Sequence, residues 1–160
     1  MAGGVSIRRG TARDAKGFLH LLVSLAEFEK LEPPAPGAQK RIVDDIFVKR
    51  RVKLFLACRR RVPIGYALYF YTYSSFLAKP TLYLEDIFVL EEFRRSGVGR
   101  TLFLRCVREA TSHGCGRMEW SVLNWNSKAI KFYSDLGARR LEEWSVFRLD
   151  SSSLKKLAKT

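Results

Sequence analysis

No stretch of this chain is apolar for the ~18 residues that a membrane-spanning helix needs, so no span is expected. The opening residues, Met1-Ala2-Gly3-Gly4-Val5, lack the apolar centre of a secretion signal, and Ala2 offers no site for myristoylation. Cysteine is scarce. Cys58, Cys106 and Cys115 are odd in number and contain no C-x-x-C pair, which argues against a disulfide scaffold and for free thiols in a reducing, cytoplasmic setting. No zinc-finger spacing is present, and no metal is expected. Acidic residues are outnumbered, 16 against 29 Lys and Arg, for a net charge of +13. That balance attracts phosphates, nucleic acid or anionic surfaces. The basic residues, however, fall in short scattered clusters such as Arg8-Arg9, Lys49-Arg50-Arg51, Arg59-Arg60-Arg61 and Arg139-Arg140. Without a basic tail, these read as solvated surface charge, and neither nucleic acid nor membrane is an expected partner.

The chain is 160 residues long and 47% hydrophobic, enough for residues 1–160 to form a single domain with its own core. Val5 to Arg9 reads as a first strand. Thr11 and Asp14 have capping-box spacing, and Phe18, Leu21, Leu22, Leu25 and Phe28 recur at a helical period before the breaker-rich Glu32-Pro33-Pro34-Ala35-Pro36-Gly37. Ile42, Val43, Ile46 and Phe47 suggest a second, shorter helix. Lys53–Arg60 and Ile64–Tyr73 read as a hairpin, and Thr81–Val89 as the next strand. A helix then runs from Gly97 to a stop at Gly114, followed by a strand over Met118–Leu123. Asn126 caps a helix through Leu136 that stops at Gly137, and Trp144–Leu149 reads as a last strand. One helical turn is expected around Leu154 and Leu157. The order β-α-α-β-β-β-α-β-α-β implies a mixed α/β sheet.

Two features stand out in Leu82–Gly99. The apolar strand Tyr83-Leu84-Glu85-Asp86-Ile87-Phe88-Val89 carries adjacent carboxylates, which point to opposite faces unless a bulge intervenes. One of them therefore faces whatever covers the sheet. Embedded there, a carboxylate is costly unless paired or used, and burial raises its pKa towards that of a general base. Both lying at a solvated strand end is the alternative. The strand then gives way to Arg94-x-x-Gly97-x-Gly99, a basic turn entering a helix N-terminus, where exposed N–H groups and the helix dipole favour an anion. Lacking both Gly-Lys-Ser/Thr and a third glycine, it matches neither a Walker A loop nor a dinucleotide fingerprint. It is either a pyrophosphate cradle or an ordinary helix start. Tyr133, in the second turn of the helix after Asn126, is either a packed aromatic or a proton donor to a thiolate.

Together, Arg94-x-x-Gly97-x-Gly99, Asn126, Phe132-Tyr133 and Gly137-Ala138 resemble the layout of the GNAT acetyltransferase superfamily. Tyr83–Val89, Leu25-Ala26-Glu27-Phe28-Glu29-Lys30-Leu31 and Trp125-Asn126 resemble its diamine and thialysine N-acetyltransferase branch, of the spermidine/spermine acetyltransferase type. The resemblance covers essentially the whole chain. It implies the GNAT fold, a central, mostly antiparallel mixed sheet flanked by helices, and transfer of acetyl from acetyl-CoA to a primary amine by direct attack. Arg94, Arg95, Ser96, Gly97, Val98 and Gly99 would cradle the pyrophosphate. The backbone of Ile87, Phe88 and Val89 would pair with the pantetheine arm and polarise the acetyl carbonyl. Asn126, Ser127, Lys128 and Ala129 would contact CoA. Tyr133 matches the general acid and Glu85 the carboxylate that takes the amine proton, through water. Phe28, Glu29 and Glu85, with Glu119, Trp120 and Ser121, would line the acceptor side. A homodimer sharing C-terminal elements, Trp144–Leu149 among them, is also implied.

Two departures from that pattern bear on substrate. Arg95 stands where a glycine is usual. Ser74-Ser75-Phe76 stands where the polyamine enzymes carry an acidic-Pro-Trp element, which weakens the case for a long polycation; the implied substrates are thialysine, a lysine-like amine or a diamine or polyamine, with the thialysine-preferring relatives the better match. Acetylation of protein lysines or N-termini is the alternative activity, and a non-catalytic acetyl-CoA or nucleic-acid binding module the alternative class.

Overall fold

The computed structural model describes residues 4–159, so the reading of Ala2 lies outside it. The chain falls into two compact units, Met1–Ser121 and Val122–Thr160, described in turn.

The first unit is built on a five-stranded sheet, β1 (Val5–Arg9), β2 (Lys53–Arg59), β3 (Val62–Ser74), β4 (Lys79–Val89) and β5 (Arg117–Glu119), arranged in chain order. The first three pairings are antiparallel, and β4–β5 is parallel. This is the mostly antiparallel mixed sheet that the resemblance implies. Helix α1 (Ala15–Glu29) follows a 3-10 turn whose capping box is formed as its spacing predicts: the Thr11 N–H donates to Asp14 Oδ2 at 2.8 Å. Arg8 donates twice to the same carboxylate, at 2.8 and 2.6 Å, and holds it well below its ordinary pKa. The helix ends at Lys30, in the left-handed region at φ 58°. Helix α2 (Pro36–Phe47) starts earlier than expected, within the breaker-rich segment, because a proline in the first helical turn gives up an N–H that has no intrahelical partner anyway.

Alternation along the strands fills both faces of the sheet. Leu54, Leu56, Cys58, Tyr66, Leu68 and Phe88 form one core with Phe18, Leu21 and Leu25 of α1 and Ile46 of α2. Helix α3 (Val98–Ser112) contributes buried Leu102, Cys106 and Ala110 and contacts β3 and β4. It is tied to β1 through buried Glu109, which accepts from Arg9 Nη2 at 2.8 and 2.9 Å. Burial alone would raise the Glu109 carboxyl, but Arg9 outweighs it and the net shift is downward.

In the second unit, helix α4 (Ser127–Asp135) is capped as predicted: Asn126 Oδ1 accepts from the Ala129 N–H at 3.1 Å. Helix α5 (Ser151–Leu157) is capped by Asp150 and lengthens the single turn expected there. Two strand expectations need correction. The Met118–Leu123 strand is confined to Arg117–Glu119. Trp144–Leu149 forms no strand: its alternating apolar residues supply β propensity, but none of the described strands pairs with it, and an unpaired strand is not stable in water. Its side chains are left exposed, Phe147 at 93%.

Candidate active site

The β3–β4 ladder slips at the two carboxylates. Leu68 pairs with Asp86 and Tyr69 with Leu84, leaving Glu85 as the extra residue of a β-bulge. The bulge cancels the alternation that would send neighbours to opposite faces. Asp86 meets Tyr66, which belongs to the α1-side core, and Glu85 lines a cavity with Leu22 of α1 and Leu68. Both carboxylates thus face the helices α1 and α2.

Their environments differ. Glu85 is exposed to the cavity, whereas Asp86 is half-buried and accepts a hydrogen bond from the Tyr66 hydroxyl at 3.2 Å. Burial pushes the Asp86 carboxyl up to about 6. The charge of Glu85 adds to the rise, the Tyr66 hydroxyl opposes it, and Glu29 adds a little. Burial also raises Glu29. Asp86, which the resemblance does not single out, is thus a carboxylate that burial shifts strongly upward. Adjacency was the signal, but without the bulge the two residues could not be put on one face.

The end of β4 is open on one edge. Its pairing with β5 covers only Thr81, Leu82 and Tyr83. Ile87, Phe88 and Val89 therefore pair with β3 but with none of the described strands opposite, leaving backbone groups to bond an extended ligand. Beyond them, Arg94 turns back rather than outward. Its Nε donates to the Val89 carbonyl at 2.8 Å, and its guanidinium stacks over Phe28 and Phe88 at 4.5 and 5.3 Å. Arg94 thus pins the turn to the strand and joins it to Phe28 of α1, which itself tilts against Phe88 at 6.3 Å. Gly97 caps α3 at φ 83°, and a Cβ there would meet nothing within 4 Å. The space over the helix N-terminus fits a phosphate group approaching the main chain. Arg95 occupies the left-handed region at φ 60°, where glycine is at ease. It is exposed, as is Ser96, while Val98 is buried in the core and acts only through its backbone.

The three residues expected on the far side of the acceptor channel have other engagements. Glu119 pairs with Arg117 at 2.9 Å, Trp120 packs edge-on against Phe103 at 5.3 Å, and Ser121 Oγ lies 3.1 Å from the Tyr83 hydroxyl. None of the three lines the cavity that holds Glu85. Phe28 and Glu29 do not line it either, but sit beside Arg94 and Asp86 through the contacts above. In the second unit, Ser127, Lys128 and Ala129 form the first turn of α4. Tyr133 lies one turn further on with its ring against Phe132 at 5.2 Å, and burial pushes its phenol up to about 12. Among the described residues, no group of three or more His, Cys, Asp or Glu is arranged to hold a metal.

Comparison with known proteins bears on all of this. The profile of the acetyltransferase (GNAT) family matches residues 19–138. The thialysine N-epsilon-acetyltransferase of Caenorhabditis elegans is 32% identical over 151 residues, covering 92% of this chain and 93% of that one. The L-ornithine N5-acetyltransferase NATA1 of Arabidopsis thaliana is 43% identical over 98 residues, 61% of this chain, which spans only 43% of that protein's length. Among solved structures, the integron cassette protein VCH_CASS6 from the mobile metagenome of V. cholerae superposes with a TM-score of 0.84 at 23% identity, covering 98% of this chain and 99% of the other. At that identity the likeness is one of fold.

Proposed function

Because the chain belongs to the GNAT acetyltransferase family and is an N-acetyltransferase, we propose that residues 1–160 act as one domain moving acetyl from acetyl-CoA to a primary amine of a small molecule. Relatives named for thialysine and ornithine support an amine of that size. The observation that carries the proposal is the bulge at Glu85, which sets two carboxylates on the face covered by α1 and α2, beside the open end of β4.

Acetyl-CoA supplies the acyl group as a thioester. The turn Arg94–Gly99 and the first turn of α3 bind its pyrophosphate, and Ile87, Phe88 and Val89 hold the arm along the open edge. The N–H groups of Ile87 and Val89, which point away from β3 because those of Phe88 and Leu90 face it, stabilise charge developing on the acyl oxygen. Asn126, Ser127, Lys128 and Ala129 bind CoA at the start of α4. The amine must shed a proton before it attacks. For an alkyl ammonium of pKa ~10.4 that costs about 4–5 kcal/mol at pH 7 in water. With a pKa of about 6, Asp86 is mostly ionised at neutral pH and remains basic enough to accept the proton, relayed through Glu85 at the cavity wall. Tyr133 keeps its proton to about 12, well above a thiol's ~8.5, so it acts chiefly by donating a hydrogen bond to the sulfur as negative charge builds there. The turn Ser74-Ser75-Phe76 presents no carboxylate: Ser74 is buried with its Oγ accepting from the Leu77 N–H at 3.3 Å. That absence favours a short amine over a polyamine.

The free thiols support a reducing, cytoplasmic setting. The exposed Trp144, Val146, Phe147 and Leu149 support a homodimer that covers them.

The test is acetyl-CoA consumption with thialysine, L-lysine, L-ornithine, putrescine, spermidine and a histone-tail peptide. Thiol release with the short amines, less with spermidine and none with the peptide, is expected. Release with the peptide alone overturns the small-molecule reading, and release with none of them overturns acetyl transfer.

A further inference from the structure

Tyr66, in the middle of β3, is fully buried and is not among the residues that the resemblance implicates. Its ring packs edge-on against Phe18 of α1 at 5.2 Å and tilts against Phe88 of β4 at 6.4 Å. A phenol in such a place is costly unless its hydroxyl finds a partner. The partner is Asp86, whose Oδ2 accepts at 3.2 Å. Register explains the reach. Tyr66 pairs with Phe88 and Leu68 with Asp86, so Tyr66 and Asp86 are diagonal neighbours on one face of the ladder. The ring is thus held by α1, β3 and β4 together, and its hydroxyl in turn holds one carboxylate oxygen.

The charged groups around Asp86 offer it no other donor. Glu85 beside it on β4 and Glu29 of α1 add negative charge and raise its pKa. Arg94 is engaged elsewhere, with its Nε on the Val89 carbonyl and its guanidinium over Phe28 and Phe88. Arg41 and Asp45 of α2 border the cavity on the Glu85 side. Among the described residues only Tyr66 donates to Asp86, and only to Oδ2. Oδ1 is the oxygen left to receive a proton. The phenol keeps its own: burial first, then the charge of Asp86, raise it far above the working range. Tyr66 therefore orients and does not exchange protons.

We propose that Tyr66 is a positioning residue for acetyl transfer, its hydroxyl fixing the Asp86 carboxylate so that Oδ1 takes the proton shed by the amine. The proposal rests on Asp86 as proton acceptor and names the group that sets its orientation. In the step, the ammonium N–H bond breaks, its electron pair stays on nitrogen for attack on the thioester, and the proton passes through Glu85 to Oδ1. The Tyr66 O–H bond stays intact. Its hydrogen bond also favours the ionised carboxylate, because a donor stabilises charge on its acceptor.

Tyr66→Phe keeps the ring and removes the hydroxyl, and circular dichroism confirms that the variant folds. Its kcat/KM is followed against pH with the amine, from the panel above, that wild type turns over fastest. Losing the donor disfavours the charged form, so the acid limb, near the Asp86 value of about 6 in wild type, moves up by about half a unit to one unit. On the plateau kcat falls about tenfold or more while KM for acetyl-CoA holds. In the Asp86→Asn background the same loss changes kcat by no more than about twofold, since the two residues act as one unit. In enzyme without substrates, the Asp86 carboxyl, labelled with 13C and followed by NMR, titrates at higher pH in Tyr66→Phe than in wild type. An acid limb that stays in place, or a loss as large in Asp86→Asn as in wild type, overturns this inference and leaves acetyl transfer standing. No turnover of any amine by wild type overturns both.

Discussion

The Tyr66 hydroxyl donates to Asp86 Oδ2 across 3.2 Å, from a ring that is itself packed edge-on against Phe18 of α1 at 5.2 Å. This bond joins the core to the bulged strand and holds a carboxylate that burial would otherwise expel. Burial and Asp86 together raise the Tyr66 phenol, so it remains a donor.

Asp86→Asn separates stability from activity. A carboxyl whose pKa is raised from 3.8 to about 6 in the folded state penalises folding as it ionises. The native state binds more protons than the unfolded chain between those values, so this group's contribution falls as pH climbs through the window and stays low above it. The full penalty is about 3 kcal/mol. Asn keeps an acceptor for Tyr66 without the charge. Thermal unfolding above pH 7 should show a gain of about 1–3 kcal/mol that vanishes near pH 4. The rate should fall, and the rise in kcat/KM through about pH 6 expected of the wild type should disappear.

Tyr133→Phe should lower kcat by about 10–1000-fold with little change in acetyl-CoA affinity, measured by steady-state kinetics and by titration. A phenol that keeps its proton to about 12 does not titrate in the working range. The wild-type profile should therefore show no descending limb from Tyr133 below pH 10, and full activity in the variant would remove its role.

Arg95→Gly relieves a left-handed residue at φ 60°. Relief of backbone strain outweighs the added flexibility of the unfolded chain, for a net gain of about 0.5–1 kcal/mol in urea unfolding. If the Arg95 charge also assists pyrophosphate binding, KM for acetyl-CoA rises in the same variant, most clearly at low salt.

Arg94→Lys keeps the charge but loses the planar group that bonds Val89 while stacking on Phe28 and Phe88. Because that one side chain links the turn, the strand end and α1, KM should rise for both acetyl-CoA and the amine. A change confined to acetyl-CoA would show that Arg94 acts only on the turn.

Val146→Asp with Phe147→Asp tests the proposed dimer. Both side chains are exposed, at 88% and 93%, so the double variant should fold as the wild type does. Light scattering should report a dimer for the wild type and a monomer for the variant. A monomeric wild type would remove the dimer.

Much of the fold was legible in local chemistry. Thr11 with Asp14, Asn126, Gly97, Gly114 and Gly137 mark helix ends by rules that act over a few residues, and the alternation in β2 and β3 needs only the period of a strand. Trp144–Leu149 shows the limit: propensity was present, but a strand exists only where a ladder partner exists.

The sequence by itself determined the family, through Arg94-x-x-Gly97-x-Gly99, Tyr83–Val89 and Asn126 to Tyr133 in order, and with it the class of chemistry. Only the tertiary structure decided how the surroundings of Glu85 and Asp86 differ. A one-residue slip against Leu68 and Tyr69 puts both on one face, and burial then raises Asp86. Register and burial arise from residues distant in the chain, so no local pattern encodes them.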